Sequence, residues 1–132
     1  SLERGDEYAS RIFNAIFGDH ELFQFNGNVR NWGLVDNLPV GACVEVPVLA
    51  SRAGLSPMHV GAIPDAVLPL MSLSSQIEEM AVKGSFAGDR EMIYLACCYD
   101  PLTSAVLDLR EIRAMVDELF EFSKPWLPQF KF

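Results

Sequence analysis

The sequence predicts an α+β fold, in which a small antiparallel sheet packs with about four helices. One observation is that Val44, Val46 and Val48 alternate with other residues, which is typical of a half-buried β-strand. A second is that apolar residues recur at helical spacing in several other stretches. Half of the 132 residues are apolar and 21% are charged, which favours a packed core over disorder. We expect residues 1–132 to form a single domain.

The first helix is predicted over Asp6 to Phe17, and Gly18 is expected to end it. Two extended segments follow, Phe23–Asn31 and Ala42–Leu49, and we expect them to pair as antiparallel strands. The residues between them are polar and rich in glycine and proline, which is typical of a turn region.

The next stretch predicts a turn and then a third strand. Gly54-Leu55-Ser56-Pro57 has the composition of a turn, and Met58–Ile63 is expected to form a short strand. Pro64-Asp65 is a helix start signal, after which helical spacing continues to about Phe86. Because Pro69 cannot donate a backbone hydrogen bond, regular helix is expected to begin only at Leu68 or Pro69.

Two further helices are predicted near the end of the chain. Gly88-Asp89 is expected to restart a helix that runs through Tyr99, where Asp100-Pro101 ends it. Asp108 and Glu111 form a D-x-x-E capping box for the last helix. The tail over residues 125–132 contains Trp126, Phe130 and Phe132, so it is too aromatic to lie wholly in water.

Composition also limits the function. The net charge is −8 and no basic stripe exists, which argues against nucleic-acid and anionic-membrane binding. The sequence contains no run of 18 apolar residues, so no membrane-spanning helix is predicted. Ser1-Leu2-Glu3-Arg4 has neither signal-peptide features nor an initiator Met, as expected for a piece of a longer protein. Three cysteines, two of them adjacent, suit a reducing compartment, so we expect a cytoplasmic protein.

Several chemical motifs are missing from the sequence. It contains no G-x-G-x-x-G and no G-x-x-x-x-G-K phosphate loop. His20 and His59 have no metal-ligating spacing, and Cys97-Cys98 lacks a partner pair, so both cysteines are expected to be buried apolar residues. The carboxylates on predicted helices are expected to lie in water. We therefore assign no catalytic and no metal-binding residue.

The most distinctive polar cluster comprises Asn28, Arg30 and Asn31, followed by Trp32. Arg carries five donors in a rigid fork, and Asn carries both a donor and an acceptor, so the cluster is a candidate to face a substrate or cofactor. The alternative is that these side chains bond to the backbone at the junction of strand and turn. Glu45 lies in an apolar strand, and Arg30 is its candidate partner if it points inward.

Four segments, taken in their order along the chain, resemble the C-terminal part of glycoside hydrolase family 4. They are Asn28-Val29-Arg30-Asn31, Gly33, Asp36-Asn37-Leu38-Pro39 and Val44-Glu45-Val46-Pro47. The stretch from Arg4 to Ala15 is similar to the helix that precedes the strand pair in that family. Further matches are Gly54 to Pro57, Gly61 to Pro64, Asp89-Arg90, Asp100 to Thr103, Met115 to Leu119 and Trp126 to Pro128. Within the family, the resemblance is to the α-galactosidases (melibiases).

This resemblance implies a piece of a lactate-dehydrogenase-like C-terminal domain, with a Rossmann NAD domain upstream of this chain. It also implies that the full-length protein hydrolyses α-galactosides such as melibiose, using NAD and Mn²⁺. In the family's scheme, carbon 3 of the sugar is oxidised, the glycosidic oxygen is eliminated, water is added, and the hydroxyl is restored by reduction.

Two alternatives remain open at this point. One is another family 4 specificity: an α-glucosidase, a phospho-glycosidase or an α-galacturonidase. The other is a non-catalytic oligomerisation or binding module. Whether the full-length protein is an α-galactosidase or has another family 4 specificity, we expect the isolated chain to be inactive and to bind no cofactor. The full-length protein is expected to be a homo-oligomer.

Overall fold

The computed structural model describes Gly5 and residues 7–131. They form two compact units that divide between residues 63 and 64, and we describe each unit separately. The fold is α+β, as the sequence predicts, with a three-stranded antiparallel sheet in the first unit. The described residues contain five α-helices, one in the first unit and four in the second. The assignment of residues 1–132 to one domain stays a prediction.

The first unit begins with helix α1, Ala9–Phe17. Its predicted start at Asp6, like the family-like match that begins at Arg4, lies outside the described residues. The predicted end is confirmed, because the Gly18 N–H donates to the Asn14 carbonyl oxygen at 2.8 Å and the helix goes no further. The helix contacts the sheet, and its Ala15 is 1% exposed.

The sheet contains β1 (Phe23–Arg30), β2 (Cys43–Ser51) and β3 (Gly54–Pro57), in that spatial order. The predicted pairing of the first two strands is confirmed, with Gly27 opposite Val46. Every second residue of β2 is buried, and these residues are Val44, Val46, Val48 and Ala50. The alternation of valines therefore marks the buried face of the sheet.

The predicted order of turn and third strand is wrong. Gly54–Pro57, expected to be a turn, is strand β3, and Ser51 pairs with Gly54 across a two-residue hairpin loop. The glycine is needed there because its φ of 103° lies in a region that other residues rarely adopt. Met58–Ile63, expected to be a strand, contributes a single isolated bridge from Gly61 to Val35. Pro57 misled the prediction, since proline is tolerated in an edge strand.

The second unit contains α2 (Leu68–Ala87), α3 (Arg90–Tyr99), α4 (Pro101–Val106) and α5 (Leu109–Ser123), and a 3₁₀ turn over Lys124–Trp126 follows. The predicted start of α2 at Leu68 is confirmed. The predicted helix that restarts at Gly88-Asp89 and runs through Tyr99 is also confirmed, with Asp89 as its N-cap. The sequence did not predict α4. No helix among the described residues is long and apolar enough to span a membrane.

The core of the second unit is formed by α5 and the tail. Its buried residues are Ile112, Val116, Phe120 and Phe130. The rings of Phe120 and Phe130 meet edge to face, with centroids 4.8 Å apart. The expectation that the tail packs is confirmed for Phe130, whereas Trp126 is 71% exposed. The third aromatic residue of the tail, Phe132, lies outside the described residues.

The cysteines differ in their surroundings. Cys97 and Cys98 are partly buried and pack against the core of the second unit, whereas Cys43 is exposed. Burial is the main reason why the pKa of the Cys97 thiol is raised. A thiol whose pKa is raised ionises less, so Cys97 behaves as a small apolar residue.

Candidate functional site

The three predicted site residues lie at the end of β1, but their side chains differ in exposure. Asn28 and Arg30 are two positions apart on the exposed face of the strand. Asn31 is the first residue after the strand and is 1% exposed. The structure therefore divides the cluster into two exposed residues and one buried residue.

Asn31 bonds to the loop that joins β1 to β2. Its amide nitrogen donates to the carbonyl oxygens of Val35, Leu38 and Pro39 at 2.9, 3.1 and 3.2 Å. Its side-chain oxygen accepts hydrogen bonds from the backbone N–H groups of Leu34 and Val35 at 2.9 and 3.0 Å. The side chain thus bonds to the backbone at the junction of strand and turn, which is the structural alternative considered for the cluster.

Asn37 connects the same loop to the segment after β3. Its amide nitrogen donates to the Ile63 carbonyl oxygen, and its side-chain oxygen accepts from the Ile63 N–H, both at 2.8 Å. Next to it, Asp36 Oδ1 lies 2.7 Å from His59 Nε2 at an exposed position. Sequence reasoning missed this pair because its members are 23 residues apart and no motif links them. Two asparagines therefore fix the shape of the loop from both sides.

Arg30 contributes both to the loop and to the exposed sheet face. Its Nη1 donates to the Gly41 carbonyl oxygen at 3.2 Å. Arg30 is not a buried partner of Glu45, because Glu45 is exposed and stands opposite Asn28 in the register. We call the exposed residues Asn28, Arg30 and Glu45 the strand-end patch. Trp32, which is 70% exposed, follows directly in the chain.

The strand-end patch has the chemistry to bind hydroxyl groups. Arg30 offers guanidinium donors, Asn28 offers a donor and an acceptor, and Glu45 offers a carboxylate acceptor. Asn31 cannot add to this set without breaking its loop bonds. We therefore keep Asn28 and Arg30 as the residues that could face a ligand.

The described residues do not fit a manganese or NAD site. They contain no group of three or more His, Cys, Asp or Glu side chains arranged to hold a metal ion. The chain also lacks a glycine-rich loop that could bind a pyrophosphate. We assign no catalytic step to this chain through either cofactor.

Charged groups in the second unit connect α3 to α5. The Arg113 guanidinium donates to Glu91 at 2.7 Å and lies over the Tyr94 ring, 3.4 Å from its centroid. The hydrogen bond from Arg113 lowers the pKa of Glu91, and the same bond raises that of Arg113. Arg90 pairs with Asp117 at 3.2 Å in a similar way. These exposed pairs join two helices, which is a structural role.

Comparison with known proteins gives the family. Residues 1–103 match the family described as "Family 4 glycosyl hydrolase C-terminal domain". An α-galactosidase of Bacillus subtilis (strain 168) is 38% identical over 98% of this chain and 30% of its own length. An α-galactosidase of Rhizobium meliloti (strain 1021) is 32% identical over 98% of this chain and 26% of its own length. The chain thus spans under a third of the length of these relatives.

A solved structure gives the same fold. The 6-phospho-α-glucosidase from gut microorganisms, solved in complex with NAD and Mn²⁺, matches with a TM-score of 0.81 at 24% identity. The match covers 92% of this chain and 27% of that one. Fold, motif order and family match agree, and the chain therefore belongs to the family 4 glycosyl hydrolases, of which it is the C-terminal domain.

Proposed function

We propose that the full-length protein is an α-galactosidase that hydrolyses α-galactosides such as melibiose. The observation that carries this proposal is the 38% and 32% identity to two α-galactosidases over nearly the whole chain. The strand-end patch is compatible with it, because exposed Asn, Arg and Glu side chains suit sugar hydroxyls.

The proposal includes the cofactors and the reaction scheme of the full-length enzyme. NAD and Mn²⁺ are its expected cofactors, supported by their presence in the solved 6-phospho-α-glucosidase. The expected reaction is oxidation, elimination, addition and reduction, for which these groups supply redox and Lewis-acid chemistry when bound. On our proposal, the glycine-rich cofactor loop, the metal ligands and the catalytic base lie outside this chain. We also propose that the enzyme is cytoplasmic and homo-oligomeric.

Within the enzyme, we assign this domain a supporting role. Its loop between β1 and β2 is held by Asn31 and Asn37, so Arg30 projects from a fixed backbone. A side chain that is already held loses less conformational freedom on binding. Arg30 and Asn28 are therefore the residues that we expect to contact the sugar or the cofactor.

Assays of the full-length protein on a panel of nitrophenyl glycosides test the proposal. With NAD⁺ and Mn²⁺ present, we expect the highest kcat/KM for the α-galactoside. A preference for the α-glucoside, the α-galacturonide or a phosphorylated sugar would contradict the α-galactosidase specificity. It would still agree with membership of family 4. The isolated 132-residue chain is the matched control, and its own turnover would contradict the supporting role.

A further inference from the structure

A cleft of about 490 Å³ lies in the first unit between α1 and the residues that enter β1. Its volume falls in the range of sites that bind small molecules. The residues that line it are Ser10, Arg11, Asn14, Glu21, Leu22 and Phe23. Phe23 and Asn28 are five positions apart on one strand, so the cleft is on the opposite sheet face from the strand-end patch.

One wall of the cleft is held by a hydrogen-bonded turn at the end of α1. The Asp19 N–H lies 3.5 Å from Asn14 Oδ1, and the Glu21 N–H donates to Asp19 Oδ1 at 3.1 Å. The hydrogen bond with the Asn14 side chain is the main reason why the pKa of Asp19 is lowered. Asn14 and Asp19 therefore bond to each other and to the turn, and the wall is formed without a ligand.

Three polar groups of the cleft have no hydrogen-bond partner among the described residues, and each could bond to a ligand. The Arg11 guanidinium lies beside the Phe23 ring, with its carbon 5.8 Å from the ring centroid. Among the described residues, the guanidinium nitrogens have neither a carboxylate nor a carbonyl partner. The Glu21 carboxylate and the Ser10 hydroxyl also have no hydrogen-bond partner among these residues. Leu22, which is 69% exposed, adds an apolar edge.

This mixed set of groups selects among ligand classes. Arg11 opposes a metal cation, while Glu21 and the nearby Asp19 oppose a phosphate or other anion. A neutral molecule with adjacent hydroxyls satisfies both sides, because each hydroxyl can accept from the guanidinium and donate to the carboxylate. We propose that this cleft binds a neutral, polyhydroxylated small molecule of the size of a monosaccharide.

Titration of the ¹⁵N-labelled chain with D-galactose, and separately with galactitol, tests the proposal. We expect saturable shifts of the backbone amide signals of Arg11, Asn14 and Glu21–Phe23. Arg11→Ala and Glu21→Gln should each weaken binding by about tenfold, as expected when a hydrogen bond to a charged group is lost. Arg52→Ala is the matched control, because Arg52 is an exposed arginine in the loop between β2 and β3 and lies outside the cleft.

Three results would overturn the proposal. They are the absence of saturable shifts, shifts that are unchanged in Arg11→Ala, and tighter binding of inorganic phosphate than of either polyol. If Arg11→Ala lost its native spectrum, Glu21→Gln would decide, because its side chain has no partner among the described residues. These titrations use the chain alone, so their failure would leave the α-galactosidase proposal untouched. Equilibrium dialysis of the full-length enzyme gives a second measure, in which Arg11→Ala should remove one class of galactose site and Arg52→Ala should remove none.

Discussion

At the scale of single residues, Asn31 shows how one buried amide organises a whole loop. Five backbone groups between Leu34 and Pro39 bond to its side chain. Buried backbone groups that lose their partners destabilise the folded state, because water cannot replace those partners. Asn31 therefore stabilises the loop. Arg30, which projects from the same region, is the residue to test for ligand contact.

Replacing Asn31 by Ala should destabilise the protein by about 3 kcal/mol, because several buried backbone groups are left without partners. Urea denaturation of both proteins measures this change. Asn26→Ala is the matched control, since Asn26 lies on the exposed face of β1 and its side chain makes no hydrogen bond to any other described residue. Equal midpoints for the two variants would show that the Asn31 bonds contribute nothing to stability.

Arg30→Ala should lower the kcat/KM of the full-length enzyme by about tenfold, as expected for the loss of one charged hydrogen bond to a ligand. Arg110→Ala is the control, because the Arg110 side chain is 94% exposed and, among the residues that the structure describes, pairs only with Asp108, at 3.4 Å. Thermal melting is measured beside the kinetics. A lower melting temperature with unchanged kcat/KM would mean that Arg30 serves only its bond to the Gly41 carbonyl oxygen.

At the scale of elements, the helix ends determine how the second unit is built. Asp108 and Glu111 form the predicted capping box, in which Asp108 accepts from the Glu111 N–H and Glu111 accepts from the Asp108 N–H. Asp100 performs the same task for α4, since its carboxylate accepts from the Thr103 N–H and hydroxyl at 2.7 and 2.6 Å. Asp100-Pro101 therefore both ends α3 and begins α4, which explains why the sequence predicted only the stop.

Asp108→Ala should lower the melting temperature by roughly 3–6 °C at neutral pH, because the N-cap of α5 is lost. Hydrogen bonds from the Glu111 and Arg110 N–H groups hold the pKa of Asp108 below its ordinary value of 3.8. The Asp108 carboxylate therefore stabilises the folded state fully when the pH is above its ordinary pKa. This stabilisation is lost as the pH falls below the ordinary pKa and through the lower pKa of the folded state.

The melting difference between wild type and Asp108→Ala should accordingly shrink in acid. Calorimetry from neutral pH down to the acid range measures it. Asp65→Ala is the control, because Asp65 is exposed and caps none of the described helices. A difference that stays constant across the whole pH range would mean that the Asp108 charge has no part in the cap.

Gly88→Ala should destabilise the protein more than Gly33→Ala. Both glycines have positive φ angles, 66° and 86°, so each substitution strains the backbone by about 1 kcal/mol. At Gly88 a Cβ atom would also collide with the Gln129 carbonyl oxygen, whereas nothing lies within 4 Å of the same atom at Gly33. Urea denaturation of both variants compares the two costs, and equal losses would show that the tail moves aside freely.

At the scale of the whole molecule, part of the fold and little of the site could be predicted from sequence. Local patterns such as the alternation of Val44, Val46 and Val48 determine burial directly, so the strand pair was predictable. The role of Asn31 depends on where a loop returns in space, which spacing along the chain does not reveal. For the same reason the cleft beside Arg11, formed by two separate segments, had no sequence signal.

We also expect the isolated chain to self-associate, since several large apolar side chains remain exposed. Phe122 and Trp126 are 75% and 71% exposed and their ring centroids lie 6.2 Å apart, which favours a contact surface. Light scattering should show a dimer that weakens in Phe122→Ser and in Trp126→Ser. Leu102→Ser is the control, because Leu102 is 77% exposed on another helix. A monodisperse monomer at high concentration would contradict the expectation.

The packing of Phe130 also decides where this polypeptide can be shortened for crystallisation or display. The last helical turn ends at Trp126, which invites a boundary just after it. Such a cut would remove the ring that is 6% exposed against Phe120 and leave a cavity, at a cost of about 3–5 kcal/mol if it resembles a Phe-to-Ala change. A trimmed version that keeps residue 130 should remain soluble and protease-resistant, whereas one that ends at Trp126 should be degraded.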